Sequence, residues 1–193
     1  MRTTPVFIAG LAAAMLATIS ASAQQAVSPE NTGLPEMPKQ TTRTGKRVNR
    51  VIDMWLKNQP VYYAQISGGG YEQGKQLAAT KADYITYEME HGPLDFKELR
   101  EFMRGLVDGG PTPSGHRTPT VIVVLPLLGL DSQTVKSNGW MVEQALAQGV
   151  HGVHLCRARD PEAVKKFVQA VRYGIHKQAV DTIGLGLRGW GSQ

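Results

Sequence analysis

The sequence predicts an α/β fold organised around a parallel sheet, and three observations carry that prediction. Strand-like apolar runs start near residues 61, 84, 120 and 152, and a helical pattern follows each; this alternation builds βα units. The run VIVVLPLL, residues 121 to 128, is apolar throughout, as a parallel strand covered on both faces must be. The intervals between strand starts leave room for a crossover helix, which parallel neighbours require.

The 193-residue chain does not begin with that fold. Arg2 precedes PVFIAGLAAAMLATIS and then Ala21-Ser22-Ala23, the basic, apolar and small-residue order of a secretory leader. The apolar run is interrupted by Gly10, Thr18 and Ser20 and falls short of the roughly 20 apolar residues of a membrane span. Residues 1–23 are therefore expected to be cleaved and the protein exported, to the periplasm or beyond the cell, with no membrane attachment afterwards. Residues 24–46 are polar, contain prolines and show no periodicity, so a disordered or flexible arm is expected. Residues 47–193 form the folded domain.

The formal net charge of +5 falls only by Arg2 on cleavage. Its densest basic run, KQTTRTGKRVNR at 39 to 50, has no interleaved aromatic residue on which bases could stack, so nucleic acid is not an expected partner. The lone cysteine, Cys156, excludes an internal disulfide. A packed core must supply the stability.

Val48, Val51, Ile52, Trp55 and Leu56 fall at helical spacing and predict a first helix with one apolar stripe. VYYAQIS, residues 61 to 67, reads as a strand ended by SGGG. YEQGKQLAAT, 71 to 80, reads as a helix that Gly74 weakens. YITYEME, 84 to 90, is the next strand. Asp95 caps a helix, with Glu98 in position for a capping box and Phe96, Leu99, Phe102, Met103, Leu106 and Val107 as its buried stripe. The loop DGGPTPSGHRTP leads to the strand from 120. A helix over 138–148 and a strand over 152–156 follow. Asp160 caps the last helix, Pro161 takes its first position, and Val164, Phe167, Val168 and Val171 face inward. A closed (β/α)8 barrel takes about 250 residues and eight strands. Four strands leave either an open sheet or the first half of a barrel.

Several motifs are excluded by their context. GGYEQGKQ places Gln76 where a phosphate loop needs Ser or Thr for magnesium. GLGLRG, 184 to 189, lacks the strand before it and the helix after it that a dinucleotide site needs. His151, His154 and Cys156 do not converge, since strand alternation turns only the last two to one face, and zinc needs three or four ligands.

TYEMEHGP remains. Alternation sends Ile85, Tyr87 and Met89 to one face of the strand and Thr86, Glu88 and Glu90 to the other. In a barrel the polar set points inward near the strand's C-terminal end, where active sites sit. His91 follows at the rim. A carboxylate that fixes one imidazole nitrogen leaves the other basic, which suits general-base chemistry.

TYEMEHGPLDF resembles the D/E-x-E-H-x-P segment of the HpcH/HpaI aldolases, metal-dependent 2-keto-acid aldolases of the pyruvate/phosphoenolpyruvate-binding barrel superfamily. NRVIDMWLKNQPVYYAQIS is similar to the first helix and strand of that family. MVEQALAQGVHGVHLCRARDPEAVKKFVQAVRY is similar to its region around strand four, and LRGWGS to its R-G-x-G. The resemblance covers residues 47 to 192. It implies a parallel (β/α) barrel of TIM type with about the first four βα units in this chain, assembled as a homo-oligomer. It also implies a small-molecule keto-acid substrate and a divalent ion, magnesium or manganese. By resemblance His91 is the catalytic base, Glu88 the acid that pairs with it, and Glu90 a supporting acid. Arg188 is a substrate-binding candidate or a tie within its own loop.

Two departures stand out. Val124-Leu125-Pro126 replaces the arginine that the family usually carries before this proline. The metal-binding Glu and Asp of the family follow R-G-x-G, beyond residue 193, so no metal ligand is expected in this chain. The chain reads as the front half of an aldolase-like lyase that cannot bind metal or turn over alone. The alternative is a non-catalytic exported binding or assembly protein derived from the same barrel.

Overall fold

The computed structural model describes residues 47–189. The predicted leader (1–23) and arm (24–46) lie outside the described residues. In chain order the elements are α1 (Arg50–Leu56), β1 (Tyr63–Ile66), α2 (Tyr71–Leu77), β2 (Tyr84–Glu88) and α3 (Phe96–Asp108). Then come β3 (Thr120–Leu128), α4 (Ser132–Ala147), β4 (Gly152–Cys156), α5 (Pro161–Val171) and a short α6 (Val180–Ile183).

The four strands pair in the order β1-β2-β3-β4, all parallel. Right-handed crossovers between sequential neighbours place the connecting helices on one face of the sheet. Ile85, Tyr87 and Met89 from β2 and its extension, with Val121, Val123, Leu125 and Leu127 from β3, meet that layer. Leu99, Phe102 and Leu106 of α3 and Val135, Val142 and Ala145 of α4 complete the core. Among the described residues the sheet is open, with β1 and β4 at its edges. Four strands form, as expected, but they do not close into a barrel.

Local signals placed most helix starts. The Asp95 carboxylate accepts from the amides of Lys97 and Glu98, each at 2.9 Å. Glu98 itself lies near the Tyr87 phenol. Asp160 caps α5 through the Glu162 amide, with Pro161 at its first position.

Four expectations need correction. The stripe of α1 is mostly not buried: Val51 is, while Val48 is 75% and Trp55 66% exposed. This seven-residue helix is held by polar ties instead. The Arg50 amide donates to Thr120 Oγ1 at 3.0 Å, and Arg50 Nε meets the buried Asp83 carboxylate at 2.6 Å. Next, α4 starts six residues before the predicted 138, because the Asp131 carboxylate accepts from both the amide and the hydroxyl of Thr134, at 2.7 Å each. Third, α5 turns Ala163, Gln169 and Ala170 inward, and of its predicted face Phe167 and Val171 pack against the core while Val164 is exposed; the returning chain bonds to this helix through the Leu187 amide and the Gln169 carbonyl. Finally, Val107 at the end of the α3 stripe is exposed.

Gly74 does more than weaken α2. A Cβ there would collide with the Phe102 carbonyl, and one at Gly105 with the Tyr71 carbonyl. The two glycines face each other across the α2–α3 contact and let the backbones touch.

Candidate active site

β2 ends at Glu88 and carries the site with it. Its register sets Glu88 beside Val124 of β3, and the Met89 amide continues the ladder to the Val124 carbonyl at 2.9 Å. Ile85, Tyr87 and Met89 are buried on the helix side. Glu88 therefore takes the opposite face, as alternation predicts.

The Glu88 carboxylate then turns the chain. Its Oε1 accepts from the amide of Glu90 at 2.7 Å and of His91 at 3.2 Å. Gly92 tightens the bend, since a Cβ there would sit 3.0 Å from the Glu88 carbonyl. The turn brings His91 Nδ1 to 3.7 Å from Glu88 Oε1 and 3.9 Å from Glu90 Oε2. The acids are largely buried, with side chains 10% and 15% exposed, while the imidazole is 71% exposed. Two carboxylates thus face one ring nitrogen, and Nε2 is left to meet an incoming molecule. The structure brings together Glu88, Glu90 and His91 as the sequence predicts, at ion-pair rather than hydrogen-bond distance.

Glu90 also lies beside Cys156 at the end of β4. Burial pushes the Cys156 thiol up to about 12, and the neighbouring Glu90 carboxylate adds to the shift. The thiol donates to the Leu125 carbonyl at 3.5 Å, so it is a neutral packing group. His154 is exposed, and His151 Nδ1 accepts from the Val121 amide at 3.1 Å. Among the described residues these three are not gathered into a group of possible metal ligands.

Arg188 has different neighbours. Its guanidinium stacks 4.4 Å from the Tyr173 ring centroid, and its amide donates to the Arg172 carbonyl at 3.0 Å. This is the loop tie that the sequence left open beside substrate binding. Its buried Nε has no hydrogen-bond partner among the described residues.

The ligand atoms of Glu88, Glu90 and His91 lie within 4.8 Å of one another. Two carboxylate oxygens and an imidazole suit a divalent ion such as manganese, so the residues present fit the cation that the resemblance implies. Sequence reasoning placed every ligand beyond residue 193 and missed this grouping. Its signal was the E-x-E-H spacing itself, read there only as base chemistry. A cavity of about 790 Å³ opens elsewhere, beside Arg100, Arg104, Arg117 and His151.

No known family model and no curated protein matches the chain. Solved structures do. An HpcH/HpaI aldolase/citrate lyase family protein from Burkholderia cenocepacia J2315 is 20% identical with a TM-score of 0.54, over 74% of this chain and 48% of that one. Macrophomate synthase is 23% identical with a TM-score of 0.51, over 74% of this chain and 40% of that one. This chain spans less than half the length of either. At these identities the likeness is one of fold: over most of its length the chain is similar to structures of the HpcH/HpaI aldolase type.

Proposed function

We propose that the protein is a carbon–carbon lyase of aldolase type, cleaving a 4-hydroxy-2-keto acid to pyruvate and an aldehyde. The observation that carries this reading is the Glu88–Glu90–His91 cluster at the C-terminal end of a parallel strand, in an aldolase-like fold. His91 Nε2 takes the proton of the C4 hydroxyl. The C3–C4 bond breaks, the C4 oxygen forms the aldehyde carbonyl, and the bonding pair passes to C3 to give the enolate of pyruvate. Glu88 and Glu90 stabilise the imidazolium, which then protonates C3 and returns to its starting form. Carboxylate oxygens of Glu88 and Glu90 would hold a divalent ion, which would supply Lewis acidity to negative charge on the keto acid.

The finer parts of the reading are a (β/α)8 barrel, assembly as a homo-oligomer, and export after cleavage at Ala23. The four sequential βα units and the leader pattern support the first and last.

One observation favours the non-catalytic alternative. Val124, buried to 7% exposure beside Glu88, stands where a guanidinium would hold the keto acid's carboxylate. A binding protein derived from the barrel needs no such residue.

Pyruvate release from a panel of 4-hydroxy-2-keto acids, with and without manganese, separates the readings. Release that falls by about 100-fold or more in His91→Ala supports the lyase. No release from the full-length protein, or release unchanged in His91→Ala, overturns it.

A further inference from the structure

The cavity of about 790 Å³ lies at the end of the sheet opposite Glu88. Thr118, just before β3, and His151, just before β4, line it, so it opens at the N-terminal ends of the strands. Its size falls within the range of about 300–1,000 Å³ usual for small-molecule sites.

The lining is strongly cationic. Arg47, Arg100, Arg104 and Arg117 surround it, against one lining carboxylate, Asp108. Asp53 engages Arg47, and Glu101 engages Arg104. Arg100 and Arg117 have no carboxylate partner among the described residues. Arg100 is held in place all the same. Its Nε donates to Gln148 Oε1 at 2.7 Å, and the buried Gln148 donates in turn to the Gln144 carbonyl at 2.8 Å. The terminal nitrogens of Arg100 are left as donors. His151 adds another: its Nδ1 accepts the Val121 amide, so the proton of the neutral ring is on Nε2.

Between the charges lie Met103 and Val107 of α3. Val107 is the one member of the predicted α3 stripe that is exposed, and the cavity is what it faces. Like-charged groups this close repel one another, and guanidinium forks pair with phosphate oxygens in bidentate fashion. A free phosphate ion would fill little of the space and leave Val107 and Met103 wet.

We infer that this cavity binds a phosphate monoester with an apolar body, the phosphate held by Arg100, Arg117 and His151 and the apolar part lying on Met103 and Val107. The inference is independent of the lyase reading, because no residue of the Glu88–His91 cluster takes part.

Calorimetric titration of the full chain with phenyl phosphate, inorganic phosphate and phenol tests it, in phosphate-free buffer. Phenyl phosphate binds saturably with one-to-one stoichiometry and more tightly than either fragment. Arg100→Gln and Arg117→Gln each weaken it about tenfold or more, the loss expected for one charge-assisted contact. Both side chains are exposed, and unchanged circular dichroism and melting certify the fold. Lys177→Gln removes one charge from another exposed position and leaves affinity within a factor of about two, since screening removes distant charges. His91→Ala binds as the wild type does. Absence of saturable binding in the millimolar range, or equal affinity in Arg117→Gln, overturns the site. Equal affinity for inorganic phosphate overturns its assignment to an ester.

Discussion

Glu88 performs two tasks with one carboxylate. Its Oε1 caps two amides and so builds the turn that carries His91, while its charge faces the imidazole. Substitution separates the two. Glu88→Gln keeps a carbonyl oxygen for the amides and loses only the charge, so urea unfolding should stay within about 0.5 kcal/mol of wild type. Glu88→Ala leaves both amides without their acceptor and should cost about 2 kcal/mol, the penalty for unmet donors in a largely buried turn. On the lyase reading proposed above, pyruvate release should fall in both variants. A Glu88→Gln protein as unstable as Glu88→Ala would show that the charge, not the acceptor, shapes the turn. The sequence made the charge visible through strand alternation. It hid the capping role, because a Glu bonded two and three residues ahead has no signature beyond its spacing.

At the scale of elements, what the sequence revealed depended on how local the cause was. Asp95 and Asp160 were legible as caps because a cap bonds to amides two or three residues away. The start of α4 at Asp131 used the same chemistry, yet the helix was expected only from 138. The face of α1 was misjudged because burial of a stripe needs a partner, which a periodic pattern does not supply. Gly74 is the clearest case. In an isolated helix, alanine in place of glycine gains about 1 kcal/mol, and the sequence alone predicts that sign. Here a methyl group at position 74 meets the Phe102 carbonyl, and one at 105 meets the Tyr71 carbonyl. Gly74→Ala and Gly105→Ala should each destabilise by about 3 kcal/mol, as overpacking of a close contact does. Chemical denaturation reads the sign directly, and a more stable Gly74→Ala protein would mean the α2–α3 backbones have room to separate.

Across the whole molecule, one sheet order assigns the two ends different chemistry. Sequential parallel strands put every strand's C-terminus at one end, where Glu88, Glu90, His91 and Cys156 gather. Every strand's N-terminus lies at the other, where α1, His116 and His151 pack. The parallel topology was legible from the spacing of apolar runs. The cationic cavity was not, because its arginines come from α3, the loop before β3 and the lead into α1, which only the fold brings together. Its traces in the sequence were the i,i+4 pair Arg100 and Arg104 and, within the basic run at 39 to 50, Arg47.

That N-terminal end also makes stability depend on pH. Burial, with the charge of His116 adding to it, holds His151 below its ordinary value of 6.5, and its Nδ1 is committed to the Val121 amide. The unfolded chain therefore binds a proton at a pH where the folded one does not, so stability rises with pH across that interval. The contribution is present in full above about 6.5 and is lost as the pH falls towards the lower folded value. Other groups titrate in the same range, so the comparison is with His151→Asn, which keeps an acceptor for Val121 but cannot be protonated. Urea midpoints measured at pH 7.5 and pH 5 should fall further for the wild type than for the variant. Parallel falls would mean that the folded protein accommodates the imidazolium, with the Val121 amide released from Nδ1 as the ring takes up its proton.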